Sequence, residues 1–108
     1  MLRLSLGFAI CGLLAALSLP ACGQDGGEIY KSKCERCHGA DGQSHTFEGR
    51  MTKAPVLSDP KVSALADADL IAVVKDGKKK MPSFRKKLTD DQIAAVVAYM
   101  RTLPAPGK

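Results

Sequence analysis

Cys34-Glu35-Arg36-Cys37-His38 decides how this chain is read. Two thiols stand three positions apart, one helical turn, and an imidazole follows the second. That pattern suits covalent attachment of a haem: each thiol reaches one vinyl group and forms a thioether, and the adjacent His38 turns a ring nitrogen to the iron. Two other uses of a C-x-x-C pair fit worse. A redox dithiol belongs beside a βαβ pattern, and the chain shows no strand-like alternation. A zinc site needs a second pair of ligands, which His45 alone cannot supply. The expected cofactor is one haem c, held through Cys34 and Cys37, with His38 as an axial ligand.

A haem iron has a second axial position. Its candidates are Met51, Met81, Met100, His45 and a lysine. Met100 continues an apolar helical stripe, where a Met is more often packing than ligand. Met51 lies only 13 positions past His38, on a chain that must still wrap the ring. His45 reads as a surface loop residue. Met81 lies 43 positions past His38, in a loop and before Pro82, so it has no helical face to fill. Proline fixes the backbone there and removes a competing donor. Met81 is the expected ligand.

Outward from these residues the chain reads as helices and loops. Glu28 to Cys37 is one short helix. Gly39 to Gly49, with three glycines, is loop, and Arg50 to Pro60 is irregular. Asp67 to Lys75 is apolar at Leu70, Ile71, Val73 and Val74, with acids at its start and Gly77 past its end. Thr89 to Leu103 is the clearest helix: Thr89-Asp90-Asp91-Gln92 is a capping-box pattern, and Ile93, Val96, Val97 and Met100 recur at i, i+3, i+4 and i+7. Such small apolar faces bury too little surface alone. A bound group must fill the centre.

The first 21 residues are expected to be removed. Arg3 precedes an uncharged apolar run from Leu4 to Leu19, the form of a secretory signal. The competing reading is an uncleaved anchor, for which the run is near the lower length limit and carries Gly7, Gly12 and Pro20. Leu19-Pro20-Ala21-Cys22-Gly23 resembles the lipobox of bacterial lipoproteins, which makes Cys22 a lipid site; ordinary cleavage after Ala21 or Gly23 is the alternative. Residues 22–27 then form a tether, 28–103 the folded domain and 104–108 a tail. The product is expected on the periplasmic side of a bacterial membrane, lipid-anchored to it. Cys11 leaves with the signal, so no disulfide is expected.

The 108 residues carry 16 Lys plus Arg against 11 Asp plus Glu, and 45% are apolar. This excludes a disordered tail or a polytopic membrane protein, and the length argues against two cores. Removing Arg3 leaves 15 cations and a formal +4. Seven of them, Lys75, Lys78, Lys79, Lys80, Arg85, Lys86 and Lys87, lie within 13 residues around Met81, opposed by Asp76 alone. A solvated charge run is the bland reading. The functional one is a docking patch for a redox partner with an acidic face. Nucleic acid is not an expected partner, because the chain is exported and shows no recognition motif. Arg50 and Lys53 are candidates for contacts to the haem propionates.

From Gly26 to Leu103 the chain resembles small class I bacterial cytochromes c. Gly26 and Tyr30 sit eight and four positions before Cys34, as in that family's N-terminal helix. Ala54-Pro55-Val56-Leu57 resembles its G-P-x-L segment, with Ala54 in place of Gly. Met81-Pro82-Ser83-Phe84 resembles its M-P-x-F loop, and residues 98–103 resemble its C-terminal helix. The resemblance implies an all-α fold of three or more short helices around one covalent haem. It implies that the Pro55 carbonyl accepts from His38, that Leu57 lines the haem, and that Tyr99 packs on the N-terminal helix. The implied function is one-electron transfer, not enzymatic turnover, by a mobile or tethered carrier. The alternatives are a haem c subunit of a larger oxidoreductase, and a haem enzyme or gas sensor with an open iron.

Mass spectrometry of the native protein checks both covalent assignments. One haem mass is expected on the peptide holding Cys34 and Cys37, and acyl mass on an N-terminal Cys22. Free thiols on that peptide would refute the first; an unmodified N-terminus would refute the second.

Overall fold

The computed structural model describes residues 25–104. Six helices occur among them: α1 Gly26–Lys33, α2 Glu35–His38, α3 Phe47–Thr52, α4 Pro60–Ser63, α5 Asp67–Asp76 and α6 Asp90–Met100. None is long and apolar enough to cross a membrane. The sole β feature among the described residues is an isolated antiparallel bridge between Lys78 and Met81. The expected signal, Cys22 and the end of the tail lie outside the described residues. Pro104 is tied down: its carbonyl accepts from Gln43 Nε2 at 3.3 Å.

α6 forms for the reasons its sequence gives. Thr89 Oγ1 accepts from the Gln92 N–H at 3.1 Å, and Gln92 Oε1 accepts from the Thr89 N–H at 2.8 Å. Two otherwise orphaned donors are satisfied reciprocally. The stripe Ile93, Val96, Val97 is buried, and Ile93 and Val97 are the largest fully buried side chains. α5 spans one residue more than expected, stops at Gly77 and buries Leu70.

The expected first helix is two helices. α1 starts at Gly26 under an Asp25 cap, whose Oδ1 accepts from the Gly27 N–H at 2.9 Å. The chain turns at Cys34 before α2. α3 falls where loop and irregular chain were expected, α4 begins at the end of that irregular stretch and runs into residues given no element, and local bonds build both. Thr46 Oγ1 accepts from the Gly49 N–H at 2.8 Å and starts α3. Asp59 Oδ1 accepts from the Lys61 N–H at 2.8 Å and starts α4, with Pro60 at its first position.

α1 packs directly on α6. A Cβ at Gly26 would stand 2.2 Å from the Ala95 carbonyl oxygen, so only glycine permits this approach. Tyr99 reaches across as expected, and its ring lies 5.4 Å from that of Tyr30 at 47°. Such a tilted pair contributes about 0.5–1.5 kcal/mol beyond its buried area. Tyr30 is buried, and its hydroxyl donates to the Gly39 carbonyl at 2.6 Å. That bond joins α1 to the segment just past His38.

Replacing Gly26 with Val should destabilise the folded protein by about 1–3 kcal/mol through overpacking. Gly27→Ala should cost less, since its Cβ would meet the Tyr99 ring at 3.2 Å. Denaturant midpoints decide; equal midpoints for wild type and Gly26→Val would remove the close approach from this account.

Candidate haem site

α2 presents the attachment residues. The Cys37 N–H donates to Cys34 O at 3.2 Å and the His38 N–H to the same oxygen at 3.0 Å, one tight helical turn. Both cysteines are half-buried and free. Burial pushes the Cys34 thiol up to about 11, with the neighbouring Cys37 adding to it. Neither thiol is consumed by a disulfide, so both remain for thioether bonds.

His38 is buried. Its Nδ1 donates to the Pro55 carbonyl at 3.3 Å. The same oxygen accepts from Ser44 Oγ at 2.8 Å. Burial holds the imidazole below its ordinary range, while the Pro55 bond works the other way. A neutral ring is what a metal requires. Nε2 has no hydrogen-bond partner among the described residues, and the Nδ1 bond fixes both tautomer and ring orientation. These residues fit a haem: two free thiols one turn apart, and an oriented imidazole with one nitrogen unspent.

α3 braces this turn. Thr46 Oγ1 donates to Cys37 O at 3.0 Å. A Cβ at Gly49 would meet Cys37 O at 2.3 Å and Ser44 O at 2.6 Å. Sequence reasoning assigned Gly49 to a loop and gave Thr46 no part. Thr46 three residues before Gly49 was the available signal, a hydroxyl placed to cap a glycine-containing turn. Across α2 and α3, Arg36 Nε lies 3.6 Å from Glu48 Oε2.

Met81 sits in a constrained turn. Its N–H donates to Lys78 O at 2.9 Å, and the Lys78 N–H donates back to Met81 O at 3.0 Å. The Phe84 N–H donates to Val74 O at 3.0 Å, and Ser83 Oγ to Lys75 O at 2.5 Å. The loop is thus tied to the end of α5. Partly buried Met81 packs against the cluster of Phe84, Leu88 and Ile93, alongside Ile29, Ile71 and Val74. Met51 is 60% exposed. Met100 is half-buried and, with Leu57, lines a small cavity. His45, Arg50 and Lys53 are exposed.

The basic segment is less uniform than its sequence suggests. Lys78, Lys79, Lys80, Lys86 and Lys87 are exposed. Lys75 is half-buried and its Nζ lies 3.2 Å from Asp90 Oδ1. Arg85 pairs with Asp76. Lys87 Nζ stands 5.6 Å from the Phe84 ring centroid. Lys80 Nζ donates to Met51 O at 3.4 Å, which brings the basic turn against the end of α3.

The family model described as cytochrome c oxidase, cbb3-type, subunit III matches residues 21–100. The chain belongs to this family of c-type cytochromes. Among curated relatives, cytochrome c6 of Leptolyngbya boryana is 31% identical over 75 residues, covering 69% of this chain and 85% of its own. Cytochrome c6 of Nostoc sp. is 33% identical over 88 residues, covering 79% and 77%. Among solved structures, the KustC0563 c-type cytochrome superposes with a TM-score of 0.68 at 29% identity, over 75% of this chain and 99% of that one. This cytochrome carries electrons on one covalently bound haem c and is not an enzyme. The helical fold agrees with the all-α expectation.

Proposed function

We propose that this cytochrome is a one-electron carrier of an exported electron-transfer chain, with its iron held between His38 and Met81. The observation that carries this is the pinning of Met81. Four hydrogen bonds fix the turn around it, and its side chain lies against the apolar cluster rather than in solvent. When bound, the haem supplies the ferric/ferrous couple. The chain's own work would be to hold that group, with His38 and Met81 as the side chains that would bind its iron. Cys34 and Cys37 anchor the ring, Pro55 orients His38, and Leu57 lies two residues on along the same segment. A soft thioether from Met81 in an apolar setting favours the ferrous state and raises the potential. Two fixed ligands leave no open position for oxygen or peroxide.

Export and anchoring belong to the same reading. Residues 1–21 direct the chain to the periplasmic side, and a lipid on Cys22 holds it at the membrane surface. The exposed lysines 78, 79, 80, 86 and 87 meet a partner with an acidic face. Lys75 contributes less, because Asp90 already neutralises it. The second reading, a haem c subunit of a larger oxidoreductase, is favoured by the description of the matching family. Co-purification of stable partner subunits would select it.

Met81→Ala should open the iron. The midpoint potential is expected to fall by on the order of 0.1 V or more, the ferric Met-to-iron charge-transfer band to vanish, and ferrous protein to bind carbon monoxide. Unchanged spectra would refute Met81 as ligand.

Electron transfer to the native partner should slow about tenfold or more from low to high salt. Lys79→Glu and Lys80→Glu should slow it at low salt, and Lys75→Gln less. Stopped-flow rates independent of ionic strength would exclude this docking face.

A further inference from the structure

His38 and Ser44 are both buried, and both spend a donor on one atom, the Pro55 carbonyl oxygen. Ser44 Oγ reaches it at 2.8 Å and His38 Nδ1 at 3.3 Å. The ordinary N–H···O separation is about 2.7–3.2 Å. The hydroxyl bond is therefore the tight one, and the imidazole bond lies just past the usual length.

The backbone gives no reason for a serine at this position. Ser44 has φ 60°, a left-handed conformation that glycine adopts freely and other residues seldom. Its N–H donates to His38 O at 2.8 Å, a bond that glycine would make equally well. What serine adds is the hydroxyl, and the hydroxyl goes to Pro55 O. Unfavourable backbone persists where its surroundings hold it, and such places cluster at functional sites.

A carbonyl oxygen has two lone pairs, but both draw on the same electron density. Each donor that binds leaves the oxygen a weaker acceptor for the other. The Ser44 hydroxyl therefore limits how strongly Pro55 pulls on the Nδ1 proton of His38. A stronger pull would give the ring more imidazolate character, make Nε2 the better electron donor and favour ferric iron. A weaker pull favours the ferrous state.

We propose that Ser44 is a positioning residue that raises the haem potential by sharing the Pro55 carbonyl with His38. The inference rests on haem ligation by His38 and not on Met81. Met81 acts on the iron directly, whereas Ser44 acts through the bond that orients His38.

The test uses purified holoprotein carrying Ser44→Gly or Ser44→Ala. Glycine suits φ 60°, so Ser44→Gly removes the hydroxyl without backbone strain and decides the matter should Ser44→Ala load poorly. Both variants should keep their haem content and low-spin bands. Their midpoint potentials should fall, so that at the ambient potential where wild type is half oxidised the variants are mainly ferric. The His38 Nδ1 proton resonance of the ferrous protein should move downfield as its bond to Pro55 strengthens. A hydroxyl that only braces the Pro55 segment gives the reverse: its loss would loosen the His38 contact, move that resonance upfield and raise the potential. That result, or potentials and resonances that overlay wild type, would overturn the proposal. Wild-type protein without haem or without low-spin bands would instead overturn the ligation reading itself.

Discussion

The carbonyl oxygen of Pro55 accepts from His38 Nδ1 and from Ser44 Oγ at once. An imidazole on a single bond to Cβ turns freely, and a metal bond made by a freely turning ring has no fixed direction. The Pro55 contact removes that freedom and leaves Nε2 as the one nitrogen to spend. Several other parts of the fold hold this contact in place. The Ser44 N–H donates to His38 O at 2.8 Å, the Leu57 N–H to Gly42 O at 2.9 Å, and Tyr30 clamps the Gly39 carbonyl. These bonds tie the segment after His38 to the segment around Pro55.

Short helices follow from the same arrangement. α2 and α4 have four residues each and α3 has six, too short to stand by themselves. α3 and α4 start under a hydroxyl and a carboxylate cap, and α3 is braced against α2 through Thr46 and Gly49. The buried apolar set among the described residues is small: Tyr30, Leu70, Phe84, Leu88, Ile93, Val96 and Val97. A flat apolar cofactor joined at two points adds the surface that such a chain cannot bury alone. It also acts as the staple that small domains commonly need.

What the sequence made legible follows from how local each signal is. The capping box of α6 and its 3–4 spacing are complete within a dozen residues, and both appear as read. The C-x-x-C-H run is equally local. α3 carries no such signature, because Phe47 and Met51 are exposed and no apolar stripe forms. It exists through Thr46, and through Gly49 lying against Cys37, a contact with a residue twelve positions away. Lys75 misled for a related reason: its partner Asp90 belongs to another helix, and charge runs do not show which members are already neutralised. The break at Cys34 was invisible because residues 28–37 contain neither Gly nor Pro. Ser44 carried no signal at all, since a hydroxyl that shares an acceptor is defined only by its surroundings.

The contact between Gly26 and Ala95 has a consequence for biosynthesis. It joins the first helix to the last, so α1 lacks its α6 partner until the far end of the domain has arrived. Through that interval Cys34 and Cys37, just beyond α1, belong to an open chain. In the closed fold the Cys34 thiol is half-buried and held protonated. Late closure thus gives whatever machinery joins haem to protein a stretch of time in which the thiols are accessible and more easily ionised.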